Sequence, residues 1–266
     1  MEPARIRLGD LDVAFRTRGD GPPLVLLHGG LCDGRVWHNQ IEDLSDEFTV
    51  VAWDAPGCGA SSDPPESFRL AEYADVLHHL INALGLERPH VLGHSWGSGL
   101  ALEFCRRHRD RVASLVLAGG YAGWAGSLPA DEVRRRLCLA LELAEALPGF
   151  DPGSLPGLFS DTMPAEEQAS LAEVMSQIRP AGTRVMAQAF AEADLRAALP
   201  GIHVPTLLLY GDADTRAGRD VAAALHAALP NSTLVFMPGL GHESYAESPA
   251  VFNAHVRAFL SPRAAT

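Results

Sequence analysis

The hydrophobic positions of this chain form two patterns that alternate along most of its length. Short continuous apolar runs, typical of strands buried on both faces of a parallel sheet, lie at 23–27, 48–53, 91–92, 112–118, 204–210 and 232–237. Apolar residues at spacings of three and four predict helices at 36–44, 70–84, 218–229, after residue 95 and from residue 249 onward. Two weakly alternating segments, 5–8 and 13–18, predict an antiparallel hairpin before the first run. The alternation predicts an α/β fold, with a mostly parallel sheet of about eight strands and helices on both faces.

The segment 121–202 has a different pattern. Strand signals stop, proline and glycine recur, and helical patterns appear at 133–147, at 171–178 and at 185–193. Pro164 is expected at the first helical position of the second pattern. Because sheet units flank this segment on both sides, we expect a helical cap, or lid, inserted into a core formed by residues 1–120 and 203–266.

Composition and charge exclude several classes of protein. The 266 residues carry 21 Lys and Arg against 33 Asp and Glu, a formal charge of -12, which disfavours nucleic acid as a partner. No apolar run is long enough for a membrane span, and the first residues lack the apolar core of a signal peptide, so we expect a cytoplasmic protein without a membrane partner. The four cysteines are scattered, which favours free thiols and gives no indication of a metal site. The cluster Arg134-Arg135-Arg136 is interpreted as the solvated face of an amphipathic helix.

The most informative segment is Gly93-His94-Ser95-Trp96-Gly97, which follows an apolar run and precedes a helical pattern. This order predicts a strand, a sharp turn and a helix, with Ser95 at the turn. Glycine two positions before and two after the serine is what such a turn demands, because a Cβ there would collide with the neighbouring segment. The turn would place the Ser95 hydroxyl at the N-terminus of the helix, where backbone N–H groups favour an anionic intermediate.

A serine nucleophile needs a base, and the base needs an acid to orient it. In parallel sheets the chemistry gathers beyond the C-terminal ends of the strands. Asp214 follows one predicted strand and His242 follows the last, which gives the chain order Ser, Asp, His. Asp212 competes with Asp214 as the acid. The neighbour of the serine, His94, is interpreted as structural.

Five motifs, each at a strand end, together resemble the α/β-hydrolase fold family over about residues 24–260. They are His28-Gly29-Gly30, residues 54–61, the turn at 93–97, Gly211-Asp212-Ala213-Asp214 and Gly241-His242. The resemblance implies that Ser95 is the nucleophile, His242 the general base and acid, and Asp214 the orienting acid. It also implies an oxyanion hole formed by the backbone N–H groups of Gly30 and Trp96. Asp54 is interpreted as an architectural residue that shapes the loop beneath the site.

Within that family the chain looks most like small esterases, enol-lactonases and carbon–carbon bond hydrolases. We expect a serine hydrolase that cleaves a small-molecule ester or lactone through an acyl-serine intermediate, without cofactor or metal. Alternatives are a carbon–carbon bond hydrolase of vinylogous diketones, a cofactor-free perhydrolase or haloperoxidase, a prolyl aminopeptidase, and a ligand sensor. Leu31-Cys32 replaces the Pro-Gly that usually follows His-Gly-Gly in the peptidases. A homo-oligomer is compatible with the sequence.

The substrate pocket is expected to be apolar, since the segment 121–202 offers apolar side chains to it. The expected pocket residues are Leu31, Trp124, Leu137, Phe159, Met163 and Phe190. Trp96 is a further candidate for the pocket wall. Arg179 and Arg184 are candidates for contact with a substrate carboxylate.

Overall fold

The fold is built on one sheet of eight strands. The computed structural model describes residues 1–146 and 151–261. The strands are β1 (Ala4–Leu8), β2 (Leu11–Arg18), β3 (Pro23–Leu27), β4 (Thr49–Trp53), β5 (His90–His94), β6 (Ser114–Ala118), β7 (Thr206–Gly211) and β8 (Ser232–Met237). Their order across the sheet is β1-β2-β4-β3-β5-β6-β7-β8. β1 and β2 form the predicted antiparallel hairpin, β2 is antiparallel to β4, and all other neighbours are parallel. The predicted fold class is confirmed.

Helices cover both faces of this sheet. They are α1 (His38–Leu44), α2 (Leu70–Ala83), α3 (Trp96–Arg107), α4 (Ala130–Ala146), α5 (Ala165–Ser176), α6 (Pro180–Glu192), α7 (Arg219–Ala228), α8 (Ser244–Glu247) and α9 (Pro249–Leu260). The helix predicted at 36–44 begins as a 3₁₀ turn over Gly34–Trp37 and becomes α-helical at His38. Gly85 follows α2 with φ 66, the left-handed geometry that glycine adopts at a helix end. No helix among the described residues is long and apolar enough to cross a membrane.

Burial on both sheet faces explains the unbroken apolar runs. In β3, Leu24 and Leu26 pack into one core cluster and Val25 and Leu27 into another, because successive side chains of a strand point to opposite faces. All four are fully buried, and each such side chain contributes about 1.5–3 kcal/mol of hydrophobic stabilisation. A polar residue on either face of β3 would therefore lie in a core, so the sequence cannot alternate there.

The segment between β6 and β7 contains α4, α5 and α6, as the three helical patterns predicted. Pro164 is the N-cap of α5 rather than its first residue, because its ψ of 135 is extended. The division into a core and a lid stays a prediction, and residues 147–150 and 262–266 lie outside the described residues.

The helix α6 makes very close backbone contact with the loop after β4. A Cβ built on Gly182 would lie 2.1 Å from the carbonyl oxygen of Gly57. Nearby, the Arg179 guanidinium donates to the Asp63 carboxylate and to the carbonyl oxygens of Gly59 and Ser61, at 2.6 to 2.8 Å. The start of α6 is thus fastened to the core.

Candidate active site

Ser95 lies at the sharp turn between β5, which ends at His94, and α3, which begins at Trp96. Its φ of 49 is in the left-handed region, which non-glycine residues rarely adopt and which is held only by strong surrounding constraints. The two flanking glycines supply these constraints. A Cβ on Gly93 would lie 2.2 Å from the Gly97 carbonyl oxygen, and one on Gly97 would lie 2.3 Å from the Leu27 carbonyl oxygen. The steric reason for the glycine spacing, expected from the sequence, is present in the structure.

His242 and Asp214 are joined by a hydrogen bond of 2.8 Å between Nδ1 and Oδ2. His242 is 3% exposed and Asp214 is 7% exposed, so solvent does not compete for this bond. Burial alone would raise the pKa of the Asp214 carboxyl group. The His242 charge, the hydrogen bond from His242 and two backbone N–H groups outweigh burial and lower this pKa to about 2. Asp214 is therefore an anion at neutral pH.

Hydrogen bonds in the loop after β7 determine which carboxylate faces His242. The Asp214 Oδ1 atom accepts the backbone N–H groups of Arg216 and Ala217 at 2.7 and 2.8 Å, which leaves Oδ2 for the imidazole. The competing Asp212 is exposed and instead accepts the backbone N–H of Gly239 at 2.6 Å. The structure thus places Asp214, and not Asp212, against His242.

The two expected oxyanion donors border the same cavity as Ser95 and His242. Trp96 is the first residue of α3, so its backbone N–H has no partner one turn earlier in the helix. Its indole N–H donates to the Met186 carbonyl oxygen at 3.1 Å, and its ring packs edge-on against Tyr73. No atom lies within 4 Å of a Cβ built on Gly30, so the space beside that backbone is open.

The cavity has a volume of about 200 Å³ and lies between the strand ends and the helices of the 121–202 segment. Of the predicted pocket residues, Leu31, Trp124 and Phe190 line it, as does Trp96. Leu137, Phe159 and Met163 are not among its lining residues, which corrects the prediction.

The reasons for this correction differ between the residues. Met163 is 7% exposed and belongs to a core cluster, and Phe159 is partly buried against the same cluster. In α4, Glu132, Arg136, Leu139 and Leu143 line the cavity at spacings of three and four, and Leu137 lies beside this face. Leu139 and Leu143 therefore line the cavity where the sequence predicts Leu137.

The arginines of the site are also not the expected ones. Arg179 is held by the loop after β4, and Arg184 pairs with Glu145 on the surface at 3.2 Å. Arg135, Arg136 and Arg216 line the cavity instead, so the basic cluster of α4 is not simply a solvated face. Sequence reasoning missed them because a charged cavity face and a solvated face have the same helical periodicity.

His94 is buried, and its Nε2 lies 3.0 Å from the His242 carbonyl oxygen. Because a carbonyl oxygen only accepts, the His94 proton is on Nε2. Burial lowers the pKa of His94 to about 4, so its ring is neutral at neutral pH. This hydrogen bond holds the backbone of His242, which agrees with the structural role expected for His94.

Glu243 lies beside His94 at the end of the cavity near Gly29. Its Oε2 is 3.9 Å from His94 Nδ1, and both atoms are buried without a hydrogen-bond partner among the described residues. His94, His242 and Glu243 each place one possible ligand atom within 4.8 Å of the others. Nδ1 of His242 is already bonded to Asp214, so only Nε2 could serve a further ligand without breaking that bond.

Asp54 is fully buried and holds the loop after β4 in place. Its carboxylate accepts from Arg16 Nη1 at 2.7 Å and from the backbone N–H groups of Gly34 and Ala60 at 2.9 Å. Asp54 is not among the residues that line the cavity. Its contacts are those of an architectural residue.

A mostly parallel sheet with a strained serine turn after β5 and an Asp–His pair after β7 and β8 defines the class of α/β hydrolases. The sequence model of the α/β-hydrolase fold family matches residues 22–249. The chain therefore belongs to the α/β-hydrolase fold family, and the resemblance seen in the sequence is confirmed.

Several relatives carry hydrolase names. The chain is 31% identical over 270 residues to RutD of Caulobacter sp. (strain K31), provisionally named a carbamate hydrolase, and the match covers 97% of this chain and 99% of that protein. It is 25% identical to the 2-(acetamidomethylene)succinate hydrolase of Mesorhizobium japonicum, over 93% of this chain and 91% of that one. Among solved structures, a thermophilic esterase from Thermogutta terrifontis with malate bound is similar, with a TM-score of 0.88, 28% identity and 98% of each chain covered.

Proposed function

We propose that this protein is a serine hydrolase that cleaves a small carboxylic ester or lactone through an acyl-enzyme on Ser95. The observation that carries the proposal is the buried 2.8 Å bond between His242 and Asp214, at a cavity that Ser95 also lines. This bond occupies Nδ1 of the imidazole, so Nε2 is the nitrogen that serves Ser95.

The proposed reaction has two steps. Ser95 Oγ attacks the carbonyl carbon while His242 Nε2 takes the hydroxyl proton, and the leaving alcohol then departs with that proton. In the second step Nε2 takes a proton from water, the resulting hydroxide attacks the acyl carbon, and the proton returns to Ser95 Oγ as the acid is released. Asp214 stabilises the imidazolium that forms in each step. The backbone N–H groups of Gly30 and Trp96 would bind the oxyanion, and each would lower the activation barrier by about 3 to 4 kcal/mol.

The size and lining of the cavity favour a small substrate. Its volume of about 200 Å³ suits an acyl group of modest size, with Trp124, Phe190 and Leu31 as apolar walls. The likeness to a solved esterase at 28% identity supports an ester as the bond cleaved. Substrates with an acyl group on nitrogen are the second candidate, because two relatives are named for a carbamate and for 2-(acetamidomethylene)succinate.

The test uses Ser95→Ala beside wild type, with Ser176→Ala as the matched control. Ser176 is an exposed serine of α5, and its hydroxyl donates only to a carbonyl of its own helix. We expect Ser95→Ala to lose both turnover of short p-nitrophenyl esters and labelling by a fluorophosphonate, whereas Ser176→Ala keeps both. A folded Ser95→Ala protein that retains both properties would refute the proposal.

A substrate panel separates the remaining functions on the same site. Comparing the hydrolysis rates of lactones, carbamates and vinylogous diketones identifies which type of bond is cleaved. Peracid formation from acetate and peroxide identifies a perhydrolase, and release of proline from a peptide N-terminus identifies an aminopeptidase. A very low turnover rate together with strong thermal stabilisation by a ligand would indicate a sensor.

A further inference from the structure

Charged side chains are distributed unevenly around the cavity. At one end α4 contributes Arg135, Arg136 and Glu132, and the loop after β7 contributes Arg216. Among the side chains that line this end, three guanidinium groups stand against one carboxylate, while the buried Asp214 anion behind them is bonded to His242. The other acids that line the cavity, Asp33 and Glu243, lie at the opposite end, and Asp33 is already paired with Arg35 at 2.7 Å.

Arg136 is held rigidly among these cations. Its side chain is only 11% exposed. Nε donates to Glu132 at 2.6 Å, Nη1 to the Tyr121 hydroxyl at 3.0 Å and Nη2 to the Arg216 carbonyl oxygen at 3.0 Å. A guanidinium has five N–H groups, so these bonds leave two, one on each terminal nitrogen. Each of these N–H groups can donate to one oxygen of an anion, and a planar guanidinium suits a carboxylate because both are flat and bear opposite charges.

Glu132 does not neutralise this end of the cavity. The Arg135 guanidinium, and then that of Arg136, donate hydrogen bonds to its carboxylate and lower its pKa to about 2, so it is a single negative charge shared by two cations. Arg135 is 60% exposed at the cavity mouth, where water solvates its charge. The positive charge of the largely buried Arg136 is thus only partly compensated, and burial makes such a charge favour an anionic ligand.

The cationic end is physically connected to the residues proposed to perform the reaction. The backbone N–H of Arg216 donates to Asp214, and its carbonyl oxygen accepts from Arg136. The Tyr121 ring, whose hydroxyl contacts Arg136, lies 6.5 Å from the His242 ring between centroids. In one substrate, a carboxylate bound to Arg136 would therefore be joined by a short linking chain to the carbonyl group that Ser95 attacks.

We infer that the substrate carries a carboxylate at the end remote from the cleaved bond, bound by Arg136 with Arg216 beside it. The inference rests on the proposed function, because it assigns the other end of the same substrate. It names a class of substrates: half-esters of short dicarboxylic acids, and lactones that carry a free carboxylate. Arg136 and Arg216 determine specificity here and take no part in proton transfer.

The kinetic test compares mono-p-nitrophenyl glutarate, which has a free carboxylate, with the neutral p-nitrophenyl butyrate. Wild type should prefer the anionic ester in kcat/KM by about tenfold to a hundredfold, the effect of one or two hydrogen bonds to a charged group. The preference should shrink in 0.5 M NaCl. Arg136→Gln and Arg216→Ala should each lose most of it through KM. Arg184→Ala removes an exposed arginine of α6 that does not line the cavity, and it should keep the full preference.

A binding measurement separates failure of this inference from failure of the proposed function. Titration calorimetry with glutarate is carried out on wild type, on Ser95→Ala and on Arg136→Gln, after thermal unfolding has shown that all three are folded. Binding to the first two and at least tenfold weaker binding to Arg136→Gln supports the inference even if no ester is cleaved. Equal kcat/KM for the two esters, or glutarate binding that Arg136→Gln does not weaken, overturns it.

Discussion

Replacing Asp214 by Asn removes one charge and should disable the site through the orientation of a single amide. Oδ1 of Asp214 accepts two backbone N–H groups, from Arg216 and Ala217, and Oδ2 accepts His242 Nδ1. In Asp214→Asn the amide oxygen must serve the two backbone donors, so the NH₂ group faces the imidazole. The imidazole then has to accept at Nδ1, which moves its own proton to Nε2 and leaves it unable to take a proton from Ser95.

The size of the loss follows from these hydrogen bonds. Turning the amide over would restore an acceptor for His242 but would leave two buried N–H groups facing an NH₂ group, at a cost of about 1–3 kcal/mol each. A total of about 2–6 kcal/mol restricts the active orientation to between about 1 in 30 and 1 in 10⁴ molecules. We therefore expect kcat of Asp214→Asn to fall by about 30-fold to 10⁴-fold, with KM little changed.

The assay is steady-state hydrolysis of p-nitrophenyl butyrate by wild type, Asp214→Asn and the matched control Asp212→Asn. Asp212 lies two residues earlier on the same loop, is exposed and does not contact His242. The control should keep wild-type kcat, and both variants should remain folded in thermal unfolding. A loss below tenfold in Asp214→Asn would show that the imidazole does not depend on this carboxylate.

Three further predictions concern the support around the site. Gly93→Ala places a Cβ 2.2 Å from the Gly97 carbonyl oxygen, so it should lower the free energy of unfolding, measured by urea titration, by about 1–3 kcal/mol. It should also reduce kcat, because the same clash shifts the turn that carries Ser95; an unchanged kcat would contradict the steric account. The folded-state pKa of His94 lies below its unfolded value of 6.5, so the protein loses stability as pH falls from 6.5 toward 4, where the unfolded chain binds a proton that the folded one does not. In His94→Gln the drop in the free energy of unfolding between pH 7 and pH 4 should be smaller by about 3 kcal/mol, and an equal drop in both proteins would count against this burial effect. Glu247 accepts the backbone N–H of Gly241 at 2.8 Å, so Glu247→Ala should lower kcat by about tenfold or more by loosening the loop that carries His242. Glu247→Gln keeps an acceptor oxygen and should have a higher kcat than Glu247→Ala; equal kcat in the two variants would argue against such positioning.

The sheet and the serine turn were predictable because each follows from a local constraint. A strand such as β3 is buried on both faces and cannot carry alternating polar residues, so an unbroken apolar run in the sequence directly indicates a central strand. The glycines at 93 and 97 are equally constrained, since any Cβ there meets a backbone oxygen. The rule that chemistry collects at strand ends then directs attention to the loops after β7 and β8, which carry Asp214 and His242.

The cavity face of α4 was not predictable in this way. Its apolar stripe and its cavity face both recur at helical spacing, and the charged residues Glu132 and Arg136 have the pattern of a solvated surface. Only the packing of α4 on α6 decides which face meets the cavity. For the same reason the sequence pattern predicts Leu137, whereas Leu139, two positions away, lines the cavity.

The contact between Gly182 and Gly57 has a consequence for how this protein can change. A methyl group at position 182 would have to displace α6, because the backbone oxygen 2.1 Å away cannot rotate aside. α6 carries Met186 and Phe190, which line the cavity, whereas Gly182 does not. Position 182 thus couples the loop after β4 to the cavity wall, and a side chain added there would reach the cavity only by moving α6.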